Sequence, residues 1–255
     1  MNTYWPGPNL LHCAVIATLL IGGGVPSAVA KTIQFSGMTW NVRPAESGGP
    51  GPNAWSDRNV FADASGKLHL QIRYRNGKWT CAQVSTRRAL GFGRYQWFVT
   101  GRLDRLDRNV VLGMFQYGGV DGQNEIDIEM SRWSKPSGPD SRFTVYPAQA
   151  KLGYKTKAFD FSLNGAYTTH RFDWQSKSIL FQMLDGHRDD DRNLVSAWTV
   201  APRNYLQAIP QKPMPTYINL WLDHGKPPAD NRPVEIVIAR FKYSRQPQPK
   251  SGTPS

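Results

Sequence analysis

The feature that most constrains this chain is the segment Gln-Asn-Glu-Ile-Asp-Ile-Glu-Met at residues 123–130, where three carboxylates alternate with aliphatic residues. Successive side chains of a β-strand point to opposite faces of a sheet, so this alternation predicts a strand. Glu125, Asp127 and Glu129 then share one face, and the aliphatic side chains share the other. Like charges side by side destabilise a strand, which favours a functional reason for them. The exposed face of an ordinary antiparallel strand is the competing interpretation.

Two glutamates on one strand face suit the cleavage of a glycosidic bond. Retaining glycosidases use one carboxylate as nucleophile and another as acid and then base, with roughly 5–5.5 Å between the two carboxyl groups. Positions i and i+4 of a strand have Cα atoms about 13 Å apart, so only side chains as long as those of Glu125 and Glu129 can lean close enough. Asp127 between them can keep one glutamate ionised while the other holds its proton near neutral pH.

The rest of the chain favours an all-β fold of many short strands. Aromatic residues make up 12% of the sequence, which also contains 23 Gly and 19 Pro, and no long helical periodicity occurs. Short alternating runs between turn residues are typical of a β-sandwich, and 255 residues suffice for one large domain of this kind. The predicted strands are 33–42, 59–63, 67–74, 78–84, 93–100, 110–117, 123–130, 142–146, 167–174, 178–184, 194–200, 216–222 and 234–244, and a loop is predicted at 46–53.

Both ends of the chain are predicted to lie outside the folded domain, which then covers residues 31–245. Residues 1–30 predict a secretory signal peptide, with an apolar run at 13–21 and Ala-Val-Ala at 28–30 as the cleavage site. The apolar run is too short to span a bilayer. The Pro/Ser/Lys-rich residues 246–255 predict a disordered tail. We therefore expect a secreted protein, extracellular or periplasmic, that is monomeric and has no membrane span.

The chain is basic, with a net charge of +12 and a pI of about 9.8. This charge can serve an acidic polysaccharide, an anionic cell surface or solubility, and we favour solubility. Nucleic-acid binding needs a localised basic stripe, and the Lys and Arg residues are scattered along the sequence, so we expect no specific nucleic-acid partner. After removal of residues 1–30, Cys81 is the only cysteine, which excludes an internal disulfide.

Four further motifs accompany the carboxylate segment in a fixed order. Gly-Phe-Gly-Arg-Tyr at 91–95 and Met-Phe-Gln-Tyr at 114–117 precede it, and Tyr-Thr-Thr-His-Arg-Phe-Asp-Trp at 167–174 and Tyr-Ile-Asn-Leu-Trp at 217–221 follow. With Glu-Ile-Asp-Ile-Glu at 125–129, the chain resembles glycoside hydrolase family 16, most of all its lichenase and xyloglucan-transglycosylase branch. The resemblance implies a concanavalin A-like β-jelly-roll sandwich of two curved antiparallel sheets, with the carboxylate strand beneath a polysaccharide cleft.

The resemblance also implies roles for individual residues. Glu125 matches the nucleophile, Asp127 its partner and Glu129 the acid/base of a reaction that retains configuration. Aromatic planes stack on the apolar faces of sugar rings while amides bind the hydroxyl groups. On this basis the substrate-binding candidates are Asn53, Trp55, Phe115, Tyr117, Trp133, Tyr146, Asn219 and Trp221, with Trp133 chosen only because it lies close to the motif. For each aromatic residue, packing in the core is the alternative.

Several positions depart from the family pattern. The Glu and Arg of the Cys-Ala-Glu-x-Arg segment in lichenase-like chains are Gln83 and Ser85 here. The Trp that precedes the first catalytic Glu is Gln123, and an Asn of the next strand is Thr144. These changes leave the catalytic strand intact and leave the identity of the substrate open.

Together these features predict a secreted retaining glycoside hydrolase that cleaves internal β-glycosidic bonds of a polysaccharide, with a β-1,3-1,4- or β-1,3-glucan as first choice. A transglycosylase acting on the same substrates is one alternative. A catalytically silent carbohydrate-binding protein is another, although a binder has no need of three mutually repelling carboxylates. The strand at 239–243 lacks the Asp that often helps to hold a structural calcium in the family, so we expect no metal and no cofactor.

Overall fold

A computed structural model describes residues 31–245, which form two layers of β-strands. The predicted signal peptide at 1–30 and the predicted tail at 246–255 lie outside the described residues. None of the helices in the described range is long and apolar enough to cross a membrane.

The strands are β1 (Thr32–Phe35), β2 (Met38–Val42), β3 (Ser47–Gly48), β4 (Asn53–Trp55), β5 (Val60–Ala62), β6 (Leu68–Arg75), β7 (Lys78–Thr86), β8 (Gly93–Thr100), β9 (Val110–Tyr117), β10 (Glu125–Met130), β11 (Ser141–Tyr146), β12 (Lys155–Phe159), β13 (Tyr167–Trp174), β14 (Ile179–Asp185), β15 (Leu194–Val200), β16 (Thr216–Leu222) and β17 (Val234–Arg245). Helices are short: α1 (Tyr205–Ala208) and 3-10 turns at Asp57–Asn59, Leu103–Arg105, Ala150–Leu152 and Asp223–Gly225.

The strands form two antiparallel sheets packed face to face. The front sheet has the order β12-β11-β10-β9-β16-β7-β2-β1. The back sheet has the order β15-β14-β13-β8-β17-β6-β5. At one side β6 pairs with β7, and β4 pairs in parallel with β7, so the two sheets are joined there. The predicted all-β jelly-roll sandwich is confirmed.

Most strand predictions agree with the structure, and the differences have local causes. The region 33–42 is a hairpin of β1 and β2 that turns at Ser36 and Gly37, whose φ values are 51° and 74°. The predicted loop at 46–53 contains the two-residue strand β3. Strand β12 was not expected from its Lys-Thr-Lys-Ala-Phe sequence, because this edge strand is largely exposed and rich in lysine.

Aromatic rings fill the space between the two sheets. Phe172 of β13 packs against Tyr95 and Trp97 of β8, with ring centroids 4.9 and 5.5 Å apart, and Trp97 also contacts Phe241 of β17 at 5.3 Å. Trp97 and Phe172 are both completely buried. This aromatic cluster of the back sheet forms one side of the core that lies between the two sheets.

The front sheet contributes the aliphatic half of the carboxylate segment to this core. Ile126, Ile128 and Met130 of β10 are each 0% exposed. Cys81 of β7 is also buried and has a free thiol, whose pKa burial raises to about 12. The alternation in β10 therefore places one set of side chains in the core and the carboxylates on the outer face of the front sheet.

The aromatic core generates a direct test of packing. Phe172→Ala is expected to lower the free energy of unfolding by about 3–5 kcal/mol, because a fully buried ring leaves a cavity among rigid neighbours. Phe61, which is 38% exposed, offers the same chemical change at the surface, and Phe61→Ala is expected to cost about 1 kcal/mol or less. Urea denaturation of both variants checks the difference, and equal losses would contradict the placement of the core.

Candidate active site

The outer face of the front sheet forms a cleft with a volume of about 820 Å³. Residues from six strands line it, including the carboxylate strand β10. They are Asn41 and Val42 of β2, Gln83, Val84 and Ser85 of β7, Gly113, Phe115 and Tyr117 of β9, Glu125, Asp127 and Glu129 of β10, Tyr146 of β11, and Tyr217, Asn219 and Trp221 of β16. Loop residues, among them Arg43, Glu46, Pro50 and Asp121, form its rim.

The strand register orders these side chains in rows that cross the sheet. In the first row Glu129 lies between Arg142 of β11 and Gly113 of β9, Gly113 pairs with Asn219, and Asn219 pairs with Gln83. Directly opposed residues point to the same face, and neighbouring strands are about 4.8 Å apart. The first row therefore runs in a continuous line across the floor of the cleft.

The other two carboxylates head parallel rows. In the second row Asp127 lies between Thr144 and Phe115. In the third row Glu125 lies between Tyr146 and Tyr117. Glu125 and Asp127 thus have aromatic or polar side chains on both sides, Glu129 has Arg142 on one side and Gly113 on the other, and all three line one shared cleft.

Burial and mutual repulsion control the protonation of the three carboxyl groups. Burial raises the pKa of Glu125 to about 7, repulsion from Glu129 adds to the increase, and a hydrogen bond from Asp127 opposes it. Burial also raises the pKa of Glu129 to about 7, against the attraction of the Arg142 guanidinium. Asp127 is 4% exposed, and its pKa is raised well above the ordinary range by burial and then by repulsion from both glutamates.

Asp127 is placed to serve as a buried hydrogen-bond donor in this arrangement. Its raised pKa favours the protonated carboxyl group, whose hydrogen bond to Glu125 favours the ionised form of that glutamate. The Oδ1 atom of Asp127 is buried and has no partner among the described residues. Glu125 and Glu129, whose pKa values are both raised to about 7, thus differ in their hydrogen bonding, because Asp127 supports a negative charge on Glu125.

Five of the predicted substrate-binding residues line the cleft with the carboxylates. They are Phe115, Tyr117, Tyr146, Asn219 and Trp221. The Phe115 ring stacks on that of Tyr217 with centroids 5.1 Å apart, and the Tyr117 hydroxyl donates to Asp121 Oδ1 at 2.6 Å. A flat aromatic surface therefore lies beside Asp127 and Glu125, as a sugar ring requires.

A family model for glycosyl hydrolases family 16 matches residues 52–236. The chain belongs to glycoside hydrolase family 16. Comparison with curated proteins finds no match.

Solved structures agree with this membership in their fold. A Bacillus licheniformis beta-glucanase has 23% sequence identity and a TM-score of 0.61, over 81% of this chain and 92% of that chain. A prokaryotic beta-1,3-1,4-glucanase (lichenase) derived from a mouse hindgut metagenome has 20% identity and a TM-score of 0.57, over 81% and 93%. An immunostimulatory antigen and pseudo beta-1,3-glucanase of Mycobacterium tuberculosis has 18% identity and a TM-score of 0.59, over 81% and 91%. At these identities the similarity establishes the jelly-roll fold of this family 16 protein.

Asn53 and Trp55 of the family 16 domain lie outside the lining of the cleft, contrary to expectation. Both are buried, at 3% and 2% exposure. Asn53 Nδ2 donates to the carbonyl oxygens of Pro50 and Leu222 at 2.7 and 2.9 Å, and Trp55 Nε1 donates to that of Gly48 at 2.9 Å. These bonds hold the loop that forms one wall of the cleft, so the two side chains shape the wall from behind.

Trp133 lies next to the cleft and supports it from the side of Glu129. Its ring meets that of Trp221 edge-on, with centroids 6.0 Å apart. The Arg142 guanidinium lies over the Trp133 ring, 4.9 Å from its centroid. Trp133 therefore connects a residue that lines the cleft with a cation of the first row.

Two residues on the outer face of the front sheet are missing from the candidates chosen from the sequence. Tyr217 stands two residues before Asn219 on the same strand, so the strand alternation that places one places the other. Arg142 lies opposite Glu129 only because β11 pairs with β10 in this register, which a single sequence does not reveal. Both belong to rows that contain a carboxylate.

Gly113 leaves room for Asn219 to lie beside Glu129. A Cβ atom at residue 113 would come within 2.4 Å of Asn219 Oδ1, so any side chain there displaces the amide. Asn219 Oδ1 is buried and has no partner in the described part of the chain. The acceptor capacity of this amide oxygen is therefore unused within the described part of the chain.

The raised pKa values make the stability of the protein depend on pH. Folded Glu129 binds its proton up to about pH 7, whereas the unfolded side chain releases it near 4.5, so the free energy of unfolding falls as pH rises between these values. Glu129→Gln is therefore expected to stabilise the protein by about 1–3 kcal/mol at about pH 8 and to have little effect at about pH 5. Chemical denaturation at both pH values checks this.

Glu235 of the back sheet is the matched control for this substitution. Although burial raises its pKa, hydrogen bonds from Gln71 and His69 hold the pKa below its ordinary value. Glu235→Gln is therefore expected to give no stabilisation at either pH. A Glu129→Gln protein that is destabilised equally at both pH values would contradict the electrostatics described for the cleft.

Proposed function

We propose that this family 16 protein is a retaining glycosidase that hydrolyses internal β-glycosidic bonds of a β-1,3-1,4- or β-1,3-glucan. The observation that carries the proposal is the arrangement of Glu125 and Glu129, which face one cleft from one strand with the buried Asp127 between them. The names of the similar structures, a beta-glucanase and a lichenase, support the choice of glucan. Another similar structure is a pseudo beta-1,3-glucanase, so the fold alone does not imply glucanase activity, and the carboxyl groups of this chain are what support it.

In the first step Glu125 acts as nucleophile and Glu129 as acid. Glu125, ionised with the help of the hydrogen bond from Asp127, attacks the anomeric carbon and forms a covalent glycosyl ester. Glu129, whose pKa burial raises to about 7, carries the proton that the glutamate pair holds and donates it to the departing glycosidic oxygen. The bond to the leaving sugar breaks, and Glu129 is left as a carboxylate.

In the second step Glu129 acts as base. It takes a proton from a water molecule, whose oxygen attacks the anomeric carbon and displaces Glu125. The glutamate pair returns to its starting protonation. Two displacements at one carbon, each with inversion, give a product with the configuration of the substrate.

The shape of the cleft supports attack within a chain. Tyr146 flanks the carboxyl groups on the β11 side, while Phe115 and Tyr217 extend the aromatic surface on the other side toward Gln83 and Ser85 of β7. Sugar units can therefore rest on both sides of the bond that is cleaved. Water serves as the acceptor in this proposal.

The sequence outside the cleft supports a location outside the cytoplasm. Residues 1–30 have the composition of a secretory signal, and residues 31–245 make up one catalytic domain in this proposal. A polysaccharide is the proposed partner, and the protein acts as a monomer. Secretion suits an enzyme whose substrate is too large to enter a cell.

Conservative substitutions of the two glutamates test the function. Glu125→Gln and Glu129→Gln are each expected to lower the hydrolysis of lichenan, barley β-glucan or laminarin by at least about a thousandfold, because an amide is neither a nucleophile nor a proton donor of suitable pKa. Reducing ends released from a panel that also contains xyloglucan, agarose and carrageenan give the measurement. Circular dichroism confirms that the variants are folded.

Glu235→Gln on β17 of the back sheet, away from the cleft, serves as the control and is expected to keep full activity. An active Glu125→Gln protein would exclude the proposed nucleophile. Wild-type cleavage of agarose or carrageenan, with glucans left intact, would exclude the glucan assignment while retaining the glycosidase.

A further inference from the structure

Arg142 lies at the β11 end of the first row, directly opposite Glu129, and has no part in the mechanism above. Its position opposite Glu129 places the side chain on the outer face of the front sheet. The guanidinium carbon of Arg142 lies over the Trp133 ring, 4.9 Å from its centroid, within the range of a cation–π contact. Arg142 is therefore held beside the residue that protonates the leaving sugar.

The hydrogen-bonding capacity of this arginine is unused by the protein. The Nε atom of Arg142 is buried and has no hydrogen-bond partner among residues 31–245. The ion pairs of that range include Arg132 with Asp140 at 3.6 Å but none that involves Arg142. A buried donor without a partner costs free energy, and such groups in a native fold call for an explanation. A ligand that accepts a hydrogen bond from Arg142 supplies such an explanation.

The loop beside Arg142 carries charges of both signs in its contacts. Residues 131–135 include Arg132 and the exposed Lys135, while Asp140 pairs with Arg132 at 3.6 Å and Asp223 accepts a hydrogen bond from Ser134 at 2.7 Å. Glu129 stays neutral below about pH 7 because burial raises its pKa. At that pH the charge of Arg142 is not balanced by its neighbour in the row.

We propose that Arg142, held on Trp133, binds an anionic substituent on the sugar unit next to the bond that is cleaved. The guanidinium presents parallel N–H donors that match two oxygens of a carboxylate or a sulfate ester, and it holds its charge at every working pH. Neutral sugar hydroxyls fit this donor set less well, because they offer single acceptors and no charge. The substrate class is then a β-glucan that carries uronic acid or sulfate groups. The inference rests on the proposed function, since Glu129 marks the position of the scissile bond.

The test compares one glucan in three forms: unmodified, partly oxidised to uronic acid and partly sulfated. We expect kcat/KM of the wild type to be at least about tenfold higher on one of the anionic forms than on the neutral parent, and the preferred form identifies the source of the charge. In Arg142→Gln the ratio of anionic to neutral kcat/KM is expected to fall to about one, and in Arg142→Lys to an intermediate value. The wild-type ratio is expected to fall between about 50 and about 500 mM NaCl.

Arg240→Gln is the matched control, because Arg240 lies on β17 of the back sheet, over Phe98 and paired with Asp189. This variant is expected to keep the wild-type ratio. Equal kcat/KM on neutral and anionic glucans in the wild type would overturn the inference, as would an Arg142→Gln protein that loses activity on all three forms by the same factor. Circular dichroism of the Gln and Lys variants excludes misfolding as a cause.

Binding measurements separate this inference from the proposed function. If the wild type cleaves neutral glucan without any anionic preference, the inference fails and the hydrolase proposal stands. If no glucan is cleaved, calorimetric titration with the same three glucans decides: a preference for an anionic form that Arg142→Gln abolishes supports the inference while the hydrolase proposal fails. Equal affinities for all three forms would overturn the inference in that case as well.

Discussion

The register of β10 is the constraint on which the cleft depends. Ile126, Ile128 and Met130 are fully buried in the core, and the three carboxylates stand on the opposite face. A shift of one residue would exchange the two sets, placing three carboxyl groups between the sheets and three aliphatic side chains in the cleft. The free energy of burying the aliphatic side chains therefore holds the carboxyl groups together against their mutual repulsion.

The short distances between the three carboxyl groups of β10, and their burial, determine the electrostatics of the site. Burial raises the pKa of all three carboxyl groups, repulsion adds to the increase at Glu125 and Asp127, and the two glutamates differ in what each one contacts. Asp127 donates a hydrogen bond to Glu125 and supports its negative charge, whereas Glu129 lies across the strand from Arg142. This difference in contacts is what the proposed roles of nucleophile and proton donor require of two identical side chains.

The sequence predicts those parts of the molecule that depend on local pattern. The bounds of β8, β9, β13, β15 and β16 coincide with the predicted ranges, because alternating residues between turns determine them. Local pattern does not determine which way the side chains of the short strand β4 point, so Asn53 and Trp55 were expected in the cleft and are buried behind its wall. The position of Arg142 cannot be predicted from a single sequence for a related reason, because its place opposite Glu129 follows from the pairing of β10 with β11.

The stereochemistry of azide rescue tests the central claim, that Glu125 and Glu129 act on one anomeric carbon from opposite sides. With an activated aryl β-glucan oligosaccharide, azide is expected to replace the missing carboxylate of Glu125→Ala and to give the α-glycosyl azide. In Glu129→Ala the glycosyl ester still forms on Glu125, and azide attacks from the side of the missing base, so the β-glycosyl azide is expected. NMR spectroscopy of the products distinguishes the two anomers. The same anomer from both variants, or the reverse assignment, would contradict the roles given to the two glutamates.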